Sequence, residues 1–139
     1  MDGVGEWATT SIAKGQGLDI EILEEIHFPH SLGMLYSTFT YFLGFKVNSG
    51  EYKVMGLAPY GKPRFYDFVL NELIDLKPDG SFKLNQKYFT YTYGLRMAGR
   101  NFERLLGVKR RDSESRLEQV HFDIAASIQK VCDEAMVRM

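Results

Sequence analysis

A chain of 139 residues with 45% hydrophobic and 25% charged side chains is long enough to bury a core and too apolar to stay disordered. Its formal net charge of -1 excludes a global electrostatic pull on nucleic acid or on an anionic membrane. The single cysteine, Cys132, forms no internal disulfide, and no apolar run approaches a bilayer span, which together fit a cytoplasmic protein.

From Trp7 the run WATTSIA, β-branched and aromatic, predicts a strand. Gly15-Gln16-Gly17 breaks it, and DIEILEEIHF from Asp19 alternates imperfectly, so a β-hairpin is expected over 7–28. Such a hairpin is marginal in water without further strands. Pro29-His30-Ser31 reads as a helix start with Ser31 as N-cap, and Leu32, Leu35, Tyr36, Phe39, Phe42 and Leu43 form an apolar stripe that Gly44 closes. Asn48-Ser49-Gly50 turns into a short helix from Glu51 to Leu57, ended by Ala58-Pro59-Tyr60-Gly61. A helix is expected over 65–74, then the turn Lys77-Pro78-Asp79-Gly80 and a short strand Phe82-Lys83-Leu84. In residues 85–116 the four aromatics Tyr88, Phe89, Tyr91 and Tyr93 are followed by a basic stretch, of which 104–116 reads as a linker. Leu117, Val120, Ile124, Ile128, Val131 and Ala135 trace one face of a long final helix. The whole is a mixed α/β (α+β) fold in a single partial domain over 1–139. The glycine motif at the start has no strand before it and the last helix has no Gly or Pro stop, so both ends are expected to be cut from a longer chain.

Asp2-Gly3-Val4-Gly5-Glu6, followed by Thr9-Thr10-Ser11, is the densest chemical cluster. Glycines let backbone N–H groups approach an anion, Asp2 offers hard oxygens to a divalent cation, and hydroxyls suit phosphate oxygens. The same spacing also describes an ordinary turn, and it matches neither an EF-hand nor a Walker A loop. Glu51, Lys53 and Gly56, in EYKVMGLAPYG, form a second cluster with reach to nucleotide hydroxyls, or else a solvated ion pair ahead of a helix stop. His27 and His30 straddle Pro29, which removes the helical spacing of a zinc pair, and a helix N-terminus disfavours the cationic form of His30. His121 is expected to be hydrogen-bonded on its helix and Cys132 to be a buried, inert thiol. Glu103, Asp112 and Glu114 dilute the basic stretch, which therefore reads as a solvated loop and not as a nucleic-acid site.

Taken together, DGVGEWATTS, FPHSLGMLYSTFTYFLGFKVNSGEYKVMGLAPYGKP and FDIAASIQK resemble the O-carbamoyltransferases that decorate nodulation factors and antibiotics, over essentially the whole chain. The resemblance implies part of an actin-like ATPase domain, in an enzyme that forms carbamoyl adenylate from ATP and carbamoyl phosphate and passes the carbamoyl group to an acceptor hydroxyl. It makes Asp2 a ligand for a divalent metal of the Fe or Mg class, with Gly3, Gly5 and Glu6 shaping that site and Thr9 and Thr10 on its phosphate side. By fold analogy, Glu51, Lys53 and Gly56 become ATP contacts. The family's upstream HxxxH pair, its later SGGVALN-like element and its C-terminal domain have no counterpart here, so the isolated chain is expected to be inactive, marginally stable and self-associating. The alternative reading is a non-catalytic binding or structural domain derived from that fold.

Overall fold

The computed structural model describes all of residues 1–139. Strands β1 (Ala8–Gln16) and β2 (Asp19–His27) pair antiparallel in a two-stranded sheet, with Gly17 at φ +64° turning between them. Two register shifts interrupt the ladder. At the first, Ala8 faces His27 and Thr10 faces Ile26, so Thr9 is an extra residue, and both Thr9 and Thr10 become buried. At the second, Ile12 faces Glu24 and Ala13 faces Ile22, which leaves Leu23 unmatched and explains the broken alternation of β2. Nearly every β2 side chain is exposed.

Helix α1 (Leu32–Phe42) starts where the Ser31 hydroxyl accepts the Met34 N–H at 3.0 Å. Leu35, Phe39 and Phe42 form its buried face. Helix α2 (Glu51–Leu57) runs into a single 3₁₀ turn, Ala58–Tyr60. Helix α3 (Tyr66–Glu72) is shorter than the expected 65–74, because Ile74 starts a strand instead. That strand, β3 (Ile74–Leu76), pairs antiparallel with β4 (Phe82–Leu84), so a tertiary ladder overrides the helical periodicity at Leu73-Ile74.

The expected linker at 104–116 is a correction. Helix α4 (Arg100–Leu106) enters this segment, and its Phe102 is fully buried, with Phe39 and Phe42 each 5.4 Å away between ring centroids. Beyond it Arg111 is also buried. Helix α5 (Gln119–Arg138) begins just after Leu117 and packs against α1, α2 and α3 with Ile124, Ile128, Val131 and Ala135 inward. The helices and the β3–β4 ladder share one core of 22 buried hydrophobic residues, to which β1 and β2 contribute none. No helix is long and apolar enough to cross a membrane.

Candidate functional site

The N-terminal loop lies on the first turn of α1. The Ser31 hydroxyl donates to the Asp2 carbonyl at 3.0 Å, and a Cβ at Gly33 would come within 2.9 Å of that same carbonyl and of the Gly3 Cα. Close approach of loop and helix therefore requires glycine at 33. Gly5 is required by its own backbone: it sits at φ +59°, and a Cβ there would lie 2.3 Å from the Ala8 carbonyl oxygen.

Asp2 and Gly3 form one wall of a cleft of about 530 Å³, within the size range of small-molecule sites. Glu51 and Met55 of α2 form another wall, and Gln129, Asp133 and Met136 of α5 a third. The chain thus folds its two separate motifs, Asp2-Gly3 and Glu51, onto one cavity. Three carboxylates line it, Asp2, Glu51 and Asp133, and no Lys or Arg does.

Glu51 is held in place by its acceptor bonds. Its carboxylate accepts the Ser37 hydroxyl at 2.9 Å and the N–H groups of Asn48 and Gly50 at 3.0 and 3.1 Å. Burial pushes its pKa up, but the backbone N–H groups of Asn48, Glu51 and Gly50 and the Ser37 hydroxyl outweigh burial and hold it below the usual value. An ionised acceptor therefore faces the cleft. Across it, the Tyr36 hydroxyl donates to the Gln129 Oε1 at 2.8 Å, and the Gln129 amide donates to Asp133 at 2.7 Å. Burial, then Cys132, Asp133 and Glu51, raise the Tyr36 phenol well above its ordinary value, so it remains a neutral donor. Cys132, pushed up to about 12 by burial and by Asp133, stays a thiol, as expected for an inert cysteine.

On the cleft wall, the Gly3 N–H is engaged by Asp2 Oδ1 at 2.6 Å. The other predicted residues, Gly5, Glu6, Thr9, Thr10, Lys53 and Gly56, do not line this cleft. Glu6 is exposed on the loop. The Thr9 hydroxyl is directed at the carbonyls of Ile26 and His30, tying the hairpin to the start of α1. Thr10 is buried with an unpartnered hydroxyl and lines a separate small cavity beside Asp79, Ser81 and Met139. Lys53 lies on another face of α2, its ammonium 5.6 Å above the Phe45 ring. Gly56 is exposed, and nothing lies within 4 Å of where a Cβ would stand.

Other motif residues act on the fold itself. The buried Asp123 accepts the Lys62 N–H at 2.8 Å and the Gln119 amide at 2.9 Å, and pairs with the Arg64 guanidinium at 3.1 Å. The Ser127 hydroxyl accepts the Phe65 N–H at 3.0 Å. A Cβ on Gly61 would lie 2.0 Å from the Phe122 carbonyl oxygen. The YGKPRF turn is thereby bolted to the FDIAAS stretch of α5, so two distant sequence motifs prove to be one structural joint. His30 and His121 each accept a backbone N–H through Nδ1, from Leu84 at 3.0 Å and Glu118 at 2.9 Å. His30 is therefore neutral, and His121 hydrogen-bonded on its helix, each as expected; burial lowers both pKa values first, joined by Lys83 at His30 and, against Glu118, by Arg111 at His121.

Residues 1–139 match the family described as the carbamoyltransferase N-terminus. The chain belongs to this family. It is 59% identical, over its full length, to an uncharacterized protein of Synechocystis, of which it covers 23%. It is 30% identical over 133 residues to the nodulation protein NolNO of Sinorhizobium fredii, covering 96% of this chain and 18% of that protein. The nodulation protein NolO of Bradyrhizobium diazoefficiens is likewise 30% identical over 133 residues, with 96% and 22% coverage. The chain thus spans about a fifth of the length of the curated relatives it matches.

Ser37, Asn48, Gln129 and Asp133 are cleft residues that motif reasoning missed. Asn48 stood in plain view as a turn residue, but Gln129 and Asp133 read only as the polar face of an amphipathic helix. No group of three or more His, Cys, Asp or Glu side chains converges to hold a metal. Asp2 is a lone carboxylate, short of the donor set of a divalent cation, so residues 1–139 do not fit such an ion by themselves.

Proposed function

We propose that this segment forms one side of the nucleotide cleft of an O-carbamoyltransferase with actin-like ATPase architecture, a cytoplasmic enzyme that uses ATP and carbamoyl phosphate. The observation that carries the reading is the meeting of Asp2-Gly3 and Glu51 on a single cleft. ATP, carbamoyl phosphate and water give carbamoyl adenylate with release of pyrophosphate and phosphate, and the carbamoyl group then passes to an acceptor hydroxyl with release of AMP. The chain's own residues bind and orient. Glu51, fixed by three hydrogen bonds and ionised, accepts from the hydroxyl groups of the nucleoside, while Met55 and Met136 offer a soft apolar wall to its base. With three carboxylates and no Lys or Arg side chain, the cleft turns phosphate charge away, toward groups outside 1–139. Asp2 would add one carboxylate to a divalent site completed elsewhere in the whole protein.

The test uses a full-length protein carrying this segment. Parent protein is expected to bind ATP and to yield carbamoyl adenylate, detected by mass spectrometry, whereas the isolated chain yields none. Glu51→Gln and Asp133→Asn are each expected to weaken ATP binding about tenfold, a loss of about 1.4 kcal/mol. Melting without ATP separates a folding defect from a binding one. ATP affinity unchanged in both variants would remove the cleft from the nucleotide site.

A further inference from the structure

We propose that the groove between the β1–β2 hairpin and the β3–β4 ladder is a binding site for a small carboxylate. Its volume is about 470 Å³, within the range of small-molecule sites. Glu25, Ile26 and His27 of β2 form one wall. Asp75, Lys77 and Lys83, from β3, β4 and the turn between them, form another, and His30 lines the groove from the turn before α1. No residue is shared with the cleft of Asp2 and Glu51, and the inference does not rest on the reaction proposed above.

Two hydrogen-bond donors in this groove have no partner in the protein. His30 accepts the Leu84 N–H through Nδ1 at 3.0 Å, so the neutral ring carries its proton on Nε2, and that N–H meets no acceptor. Lys83 precedes Leu84 on β4, and its ammonium enters no ion pair. Asp75 faces Lys83 across the ladder, but its carboxylate is taken by Lys77 at 2.9 Å. Glu25, on the opposite wall, is taken by His27 at 3.0 Å. Burial first, and then the Lys83 ammonium, hold the His30 pKa down, as a cation with no anion beside it does.

These free donors select the occupant. A carboxylate offers one oxygen to the Lys83 ammonium and the other to the His30 Nε2–H. Its single negative charge matches the one lysine of the groove that lacks a counterion. A phosphate dianion would turn its second charge toward Glu25 and Asp75, with no cation left to offset it. Ile26 offers an apolar surface to the rest of the ligand.

Saturation-transfer NMR on the methyl protons of acetate, at millimolar concentration and constant ionic strength, tests the proposal on this chain and on a full-length protein carrying it. Saturable contact is expected in both. Lys83→Met, which keeps the stem of an exposed side chain, should weaken the contact about tenfold or more, and Lys83→Arg should retain it. Lys109→Met removes the same charge from another exposed position and should leave the contact unchanged. Thermal melting checks that Lys83→Met is folded; if it is not, Lys83→Gln replaces it. On this chain the ring-nitrogen signal of His30, identified by its loss in His30→Gln, should shift along the same saturation curve. Inorganic phosphate should displace acetate only in about tenfold excess or more. No saturable contact, contact that survives Lys83→Met, an unmoved His30 signal, or phosphate displacing acetate at equal concentration overturns the carboxylate site. Contact that vanishes in the full-length protein overturns it too, since the groove is then an internal joint and not a site.

Discussion

The Nε of Arg111 donates to the carbonyl of Leu43, the C-cap residue of α1, and sets a buried cation on the negative end of that helix. The guanidinium also lies 4.9 Å above the Phe45 ring and donates from a terminal nitrogen to the Ser115 carbonyl. Gly44, at φ +76°, lets the chain pass there, since a Cβ would come within 2.6 Å of the Arg111 carbonyl oxygen. A segment with the composition of a solvated loop is therefore the stopper of α1.

Arg111→Met keeps the apolar stem and removes the cation, leaving buried carbonyls without a donor. It is expected to lower unfolding free energy by about 1–3 kcal/mol. Urea unfolding would show this as a lower midpoint at unchanged slope. A change within about 0.5 kcal/mol, the range of ordinary surface substitutions, would return residues 104–116 to the status of a linker.

Gly61 and Gly56 stand close in sequence and should respond oppositely to the same substitution. Gly61→Ala drives a methyl into the Phe122 carbonyl, 2.0 Å from where it would stand, and should cost at least about 1–3 kcal/mol. Gly56→Ala adds a methyl to an open helix surface and should stabilise the isolated chain by up to about 1 kcal/mol. If Gly56 serves close approach of the nucleotide, the same change weakens ATP binding by the full-length protein. Paired thermal melts and ATP titrations check both; equal melting shifts for the two variants would discard the packing argument.

His30 and His121 both have pKa values below the ordinary 6.5, through burial first, with Lys83 adding at His30 and Arg111 at His121, where Glu118 opposes the shift. Below that value the unfolded chain binds protons that the folded chain refuses. Their contribution to stability is thus complete above pH 6.5 and lost as pH falls through the two depressed values. Glu51 and Asp123, also depressed, lose theirs further down, within the carboxylate range. Urea midpoints should fall from about pH 7 to about pH 5, the interval in which histidine titrates. His30→Gln, whose amide oxygen can still accept the Leu84 N–H, should flatten part of that fall. A pH-independent midpoint in the parent chain would refute the assignment.

The hairpin predicts how the isolated chain behaves. Leu18, Ile20, Ile22 and Leu23 are each more than half exposed, on a two-stranded sheet with both edges free. Such strands pair with others of their kind, so the purified chain should self-associate in a concentration-dependent way. Ile20→Lys with Ile22→Lys should restore the monomer in light scattering without lowering the melting temperature, since neither side chain packs on the core. A parent chain that stays monomeric at high concentration would contradict this.

Elements whose signal is local were readable in the sequence. The Ser31 cap, the stripe of α1, the hairpin and the inward face of α5 follow from backbone preferences and periodicity within a few residues, and the structure shows each of them, although the break expected at Gly15-Gln16-Gly17 falls later because β1 runs on to Gln16. The same holds for Asp2, Gly3 and Glu51 as chemically suggestive residues, and for the family to which their motifs belong. Sequence alone did not show that these three share a cleft, that Gln129 and Asp133 join them, or that Thr9, Lys53 and Gly56 lie elsewhere. It also missed β3, α4 and the stopper role of Arg111, since a three-residue strand and a seven-residue helix carry too short a pattern to stand out. What decided these was contact between distant segments: Ile74 found Leu84, Phe102 found Phe39, and Arg111 found the open end of α1. Local preference is written residue by residue along the chain, but a buried polar or aromatic group acquires its role only from the partner that packing brings to it.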